Sequence, residues 1–174
     1  SLICELTGID YSNASMYYGA SGLAEAALLA LRSTGRIKIL VPVTIHPEYR
    51  SVVKTYTSCL DVEIVEIAMA ADGGLDLGFL KKNLDENTAA VLVQHPNFFG
   101  LLEDVRQIGE EAHKAGALFI ACVNPVSLGI LEARSGGIWL EDTVVQAVET
   151  EPSNDVKSLR GQMILGGILD DASY

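Results

Sequence analysis

Apolar residues along the chain fall into short runs separated by polar breaks, and the runs alternate between two periods. Residues 19–32 are dense in Ala and Leu, which favour helix, and Ser33-Thr34-Gly35 stops them. Residues 38–43 form a short β-branched run near Pro42, the pattern of a buried strand. Pro47 suits the first position of a helix, expected over residues 47–56. The next strand is expected at 62–67, then a turn at Ala71-Asp72-Gly73-Gly74 and a short helix over 77–83. Residues 88–94 are a buried strand and 96–100 a loop. Asp104 is a suitable N-cap; Val105, Ile108 and Ala112 recur at helical spacing until Gly116, and 118–122 is a further strand.

Helices alternating with apolar strands predict a three-layer α/β domain with a mostly parallel sheet covered on both faces. In such sheets ligands lie beyond the carboxyl ends of the strands. The segments to watch are therefore Thr44-Ile45-His46, His95-Pro96-Asn97 and Val123-Asn124-Pro125. From Gly136 onward the pattern weakens. Residues 139–148 fit a strand or a helix, 149–155 form a polar break, and Gly166-Gly167 interrupts the last apolar stretch.

The chain has 174 residues, 49% hydrophobic and 20% charged, enough to bury a core and a poor composition for disorder. Its net charge is −11, which disfavours a nucleic-acid backbone as partner. No apolar run reaches bilayer length and no cationic leader precedes a short apolar stretch, so a soluble, cytoplasmic protein without membrane contact or signal peptide is expected. Ser1 to Leu6 are already apolar and helix-like, as in a chain that begins inside a larger protein or has been trimmed. Cys4, Cys59 and Cys122 are far apart and odd in number, which argues against a disulfide framework and fits a reducing compartment. His46, His95 and His113 are isolated, so no metal site is expected.

Asn13-Ala14-Ser15-Met16-Tyr17-Tyr18-Gly19-Ala20-Ser21-Gly22 leads into the first long helix, where small residues and unpaired N–H groups can receive an anion or merely cap and pack the helix. No strand leads into it and no Gly-Lys-Ser/Thr follows, so neither a dinucleotide fingerprint nor a nucleotide P-loop is present. His46-Pro47 is either a ligand-facing position or a capped helix start. His95, Asn97 and Asn124 sit where loops carry contacts. Phe98 and Phe99 fit a core or an interface. No nucleophile–histidine–acid set can be assembled from local motifs.

Residues 6–17 (LTGIDYSNASMY) with Ala24-Glu25-Ala26-Ala27, then His46-Pro47, then Gln94-His95-Pro96-Asn97 with Gly100 and Glu103-Asp104, then Gly116, Asn124-Pro125 and residues 128–131 (LGIL), occur in one order. Together they resemble the glycine dehydrogenase (decarboxylating) alpha subunits, the P-proteins of the glycine cleavage system, over about residues 1–132. The resemblance implies the large domain of a fold type I PLP enzyme over residues 1–135, with 136–174 an unaligned tail packed on the same domain. It further implies glycine as substrate, the lipoyl arm of the H-protein as acceptor, and a beta subunit that carries the cofactor. The half like this one is degenerate. Aligned with the cofactor-binding half, Ala121 stands where an acid would face the pyridine nitrogen. Lys157, the only lysine downstream, lies in a setting (SNDVKSLRG) unlike the family's lysine motif. Candidate cleft residues are Asn13, Ser15, Tyr17, His46, His95, Asn97 and Asn124, with no catalytic residue and no PLP bound by this chain alone. A tyrosine- and proline-containing N-terminal segment and a small C-terminal domain of the family have no counterpart in this sequence. Three readings follow. The chain is a partial or variant alpha subunit that supports decarboxylation in trans; a binding or structural module that keeps the fold; or a self-contained PLP enzyme using Lys157. In isolation a homo-oligomer is expected, burying Phe98, Phe99, Leu101 and Leu102 or a sheet edge.

Overall fold

A computed structural model describes Met16 and residues 18–123, and as strands alone Tyr11–Ser12, Val144–Gln146 and Met163–Leu165. In chain order the elements are β1 (Tyr11–Ser12), α1 (Gly19–Thr34), β2 (Lys38–Pro42), α2 (Pro47–Thr57), β3 (Glu63–Ile67), α3 (Leu77–Asn83), β4 (Thr88–His95), α4 (Val105–Lys114), β5 (Leu118–Val123), β6 (Val144–Gln146) and β7 (Met163–Leu165). Four strands form one parallel sheet in the order β3-β2-β4-β5. A smaller sheet has the order β1-β7-β6, with β7 parallel to β1 and antiparallel to β6.

The alternation of side chains explains the layers. In β4, Ala90 and Leu92 point to one face, with Ile39, Val41, Ile120 and Cys122, and are covered by α1 and α2. Val91 and Val93 point to the other, with Leu40, Phe119, Ala121 and Val123, and are covered by Leu80 of α3 and by Val105 and Ile108 of α4. The expected three-layer, parallel arrangement is what the chain adopts, with strand bounds within a residue of the periodicity. Each fully buried Leu or Ile in these layers contributes about 1.5–3 kcal/mol.

Helix α1 lies close to the sheet because its inner face is small: Ala20, Ala24, Ala27 and Ala30 are buried. It runs two residues beyond Arg32 and ends at Gly35, which has φ +67°. At its other end Gly19 meets α2 so closely that a Cβ would lie 2.7 Å from the Tyr49 hydroxyl. Asp104 caps α4 as expected, its carboxylate accepting from Gln107 N–H at 3.0 Å. The β3 edge carries Glu63 and Glu66, and Glu66 Oε1 accepts from Arg50 at 2.8 Å and Lys54 at 2.9 Å. Charge of this kind discourages pairing with a further strand. At the amino end of the sheet, Arg36 Nη1 donates to the carbonyls of Thr88, Ala115 and Gly116 at 2.7, 3.0 and 2.8 Å. One guanidinium thus ties β4 to the end of α4.

Candidate functional site

Strand order places the site. From β2 the chain steps to β3 on one side, then returns to lay β4 on the other. The reversal makes a switch point between β2 and β4, and the loops leaving those two carboxyl ends face a common crevice. They are residues 43–46 and 96–104.

The two loops are bonded together. Gln94 Oε1 accepts from His46 N–H at 2.8 Å, and Phe98 N–H donates to Thr44 O at 2.8 Å. The His46 ring meets the edge of Phe98 with centroids 4.8 Å apart and lies 5.3 Å from Tyr49. His46 Nδ1 accepts from Glu48 N–H at 3.2 Å, and Pro47 occupies the first helical position. Of the two sequence readings of His46-Pro47, the capped helix start is therefore realised. The ring also becomes part of an aromatic group with Phe98, which itself stands against Phe99.

His95 and Asn97 lie on the other side of the sheet, the face of Val91 and Val93. His95 ends β4, is 2% exposed, and precedes a cis bond to Pro96. Its Nδ1 accepts from Glu103 N–H at 3.0 Å, while its buried Nε2 has no hydrogen-bond partner among the described residues. Burial lowers the pKa of this ring from 6.5, against the opposing pull of the Glu103 carboxylate. Asn97 is buried and fully engaged. Its Nδ2 donates to Gly73 O at 3.0 Å and Glu103 Oε1 at 2.9 Å, and its Oδ1 accepts from Phe99 N–H at 3.0 Å and Leu101 N–H at 3.1 Å. Glu103 Oε2 accepts from Leu75 N–H at 2.8 Å. Asn97 thus shapes the loop and has no capacity left for a ligand.

Of the sequence candidates, His46, His95 and Asn97 are brought to one loop cluster but onto opposite faces of it. Asn13, Ser15, Tyr17 and Asn124 lie outside the described residues. Glu103, the hub of the buried network, was not among the candidates. Just before the N-cap Asp104 it reads as an ordinary acid at a helix approach, and its partners lie 28 and 6 residues away. Phe98, Phe99, Leu101 and Leu102 stand out from the cluster, 44%, 54%, 41% and 61% exposed.

The glycine cleavage system P-protein family model matches residues 1–147 of the 174. The chain belongs to this family. The match to the P-protein family runs past residue 135. Among curated P-protein relatives, a probable glycine dehydrogenase (decarboxylating) subunit 1 from Desulforamulus reducens is 56% identical over 133 residues, covering 76% of this chain and 30% of that protein. The corresponding protein of Bacillus subtilis is 50% identical over 131 residues, covering 75% of this chain and 29% of that protein. A solved glycine decarboxylase (P-protein) of the glycine cleavage system, in inhibitor-bound form, superposes with a TM-score of 0.71 at 43% identity, over 78% of this chain and 30% of that one. A NifS-like protein shares the fold at TM-score 0.57 and 13% identity. The chain thus spans about 30% of the length of the curated relatives it matches.

The relatives raise the question of PLP, which needs a lysine for its carbonyl carbon and usually an acid at its ring nitrogen. At the end of β5 stand Ala121, Cys122 and Val123, all buried, with no carboxylate among them. Ala121 packs with the α3 and α4 face and Cys122 with the α1 and α2 face. The described lysines are committed elsewhere or remote. Lys38 pairs with Asp85, Lys54 with Glu66, and Lys81 and Lys114 with Glu111, while Lys82 is exposed on α3. Lys157 lies outside the described residues. The described residues do not fit the cofactor. Among them no helix is long and apolar enough to cross a membrane, and no cluster of His, Cys, Asp and Glu is placed to hold a metal.

Proposed function

We propose that this chain is scaffold from the large domain of a glycine dehydrogenase (decarboxylating) subunit 1, and that it supports glycine decarboxylation on PLP held by a partner beta subunit. One observation carries the reading: a P-protein large-domain sheet whose β5 ends in Ala121-Cys122-Val123, with no group able to hold a pyridinium proton. The substrate is glycine, the acceptor is the lipoyl arm of an H-protein, and the compartment is the cytoplasm. The test combines the chain with a beta subunit, H-protein, PLP and glycine, and follows exchange of labelled carbon dioxide into glycine. Exchange is expected only with the beta subunit present. The chain alone, treated with PLP and borohydride, is expected to yield no pyridoxyl adduct. An adduct on Lys157, abolished by Lys157→Ala, would establish the self-contained PLP enzyme instead.

The exposed loop favours association as well. Its four apolar side chains each leave about half their burial unrealised, roughly 1 kcal/mol apiece. In the absence of a beta subunit the chain buries this loop in a homo-oligomer, most simply a dimer. Analytical ultracentrifugation is expected to find twice the chain mass, and Phe99→Ser to return it to monomer. A monomeric parent chain whose solubility the substitution leaves unchanged defeats the idea.

A further inference from the structure

The buried ring at the end of β4 has a feature that the support role does not use. Because His95 Nδ1 accepts Glu103 N–H, the neutral ring carries its proton on Nε2. A second proton must go onto Nδ1, displacing that bond, and among the described residues Nε2 has no partner in exchange. The ionised ring would then need an acceptor, and the Glu103 carboxylate is the charge beside it. That carboxylate is already committed, to Leu75 N–H through Oε2 and to the Asn97 amide through Oε1. Asn97 in turn holds the backbone of Phe99 and Leu101. His95 and the exposed apolar loop are therefore joined through one carboxylate, and a carboxylate turned to meet an Nδ1–H of the ring leaves the position from which Oε1 holds the Asn97 amide.

Among the described residues the surroundings leave Glu103 in that position. Across the sheet the register neighbour of His95 is Val123, which is apolar. On the adjoining turn Asp72 is exposed and holds Gly74 N–H at 3.0 Å. On α4, Asp104 is spent on the helix cap, and Arg106 is exposed on the first turn.

We propose that His95, Glu103 and Asn97 form a proton-operated clasp: neutral His95 leaves Glu103 on Asn97 and fixes the apolar loop, and protonated His95 takes the carboxylate and frees it. The loop also bonds Thr44 and packs on His46, so its release parts the two loops at the switch point. Burial lowers the ring's pKa, so the clasp is shut at neutral pH and opens in mild acid. The device is independent of where PLP resides.

The experiment follows the full chain by NMR from about pH 7.5 to about pH 5, with histidine labelled on both ring nitrogens. It records the His95 tautomer, the Asn97 side-chain amide, and hydrogen exchange at Phe99 and Leu101 corrected for intrinsic rate. The expected result is a shared midpoint below 6.5 and a loss of protection of about tenfold or more at both loop amides. His95→Asn keeps an acceptor near the Nδ1 position but does not titrate, and is expected to abolish the transition. A ring that titrates while Asn97 and the loop amides stay unchanged overturns the clasp, as does a ring that stays neutral throughout the range. So does the same transition in His95→Asn. Should that variant fail to fold, agreement or disagreement of the midpoints in the parent chain decides.

Discussion

Asn97→Asp changes one atom in the buried network and isolates what the amide contributes. The replacement keeps the side-chain shape and the oxygen that accepts from Phe99 and Leu101 N–H. It removes the donor to Gly73 O, a neutral bond of about 1 kcal/mol net, and the donor to Glu103, a charge-assisted bond of about 1.5–3 kcal/mol. The expected loss at about pH 7.5 is therefore roughly 2.5–4 kcal/mol. The new oxygen also faces Glu103 Oε1 at the present 2.9 Å separation, and two carboxylates so close repel, so that as pH falls the folded pair takes up one proton before separate carboxylates do, restoring a donor between them. The folded pair then holds a proton that the unfolded chain releases. A folded state with more bound protons gains stability as pH falls, so the deficit relative to the parent chain should shrink toward about pH 5.5. Urea unfolding of both chains at the two pH values measures it, provided the denaturant slopes agree. A deficit below about 1 kcal/mol at the higher pH, or one that does not shrink on acidification, refutes the reasoning.

Other perturbations test the frame around the site. Gly35 and Gly116 share nearly the same left-handed φ, +67° and +66°, but a Cβ at 35 meets nothing within 4 Å while one at 116 lies 2.9 Å from Arg36 Nη2. Gly35→Ala is expected to cost about 1 kcal/mol and Gly116→Ala measurably more, because the latter also disturbs the guanidinium that holds three carbonyls. Equal losses in thermal or urea unfolding count against that role for Arg36. Lys38→Met addresses the buried amine paired with Asp85 at 2.8 Å. The hydrogen bond from Lys38 leads the causes that hold the Asp85 pKa below 3.8, so this stabilisation is complete above 3.8 and lost as pH falls through the lowered value. The difference between parent and variant should be full at neutral pH and shrink below about pH 4. A difference that stays constant in acid excludes the pairing as its source.

What the sequence made legible was local. The β-branched runs, the Ala-rich helix, Pro47 at a helix start and Asp104 as a cap each declare themselves within a few residues, and each stands close to where the pattern places it. Gly100 falls in the loop read at 96–100, where it takes φ +81°, and Phe98, Phe99, Leu101 and Leu102 around it are exposed. The network at His95 was not legible in this way. Asn97 reaches Gly73, 24 residues back, and Glu103 reaches Leu75, 28 residues back. Such partners exist only once β4 has been laid beside β2. Asn97 was therefore read as a cleft residue from its place after a strand, when its neighbours make it a brace. His46 and His95 shared the same positional argument, but His46 caps α2 beyond the end of β2 while alternation along β4 turns His95 to the face of Val91 and Val93.

The 2.7 Å separation between the Tyr49 hydroxyl and the place a Cβ would occupy on Gly19 constrains how this chain can change over time. A larger residue at 19 requires Tyr49 to move aside or to be replaced by a smaller residue, which would open space beside His46, while Gly19 alone gains nothing from the vacancy. Neither single step is free, so the two positions are expected to drift together or remain fixed. A paired library at 19 and 49 would show viable combinations along a diagonal, with small residues at one position tolerating large ones at the other.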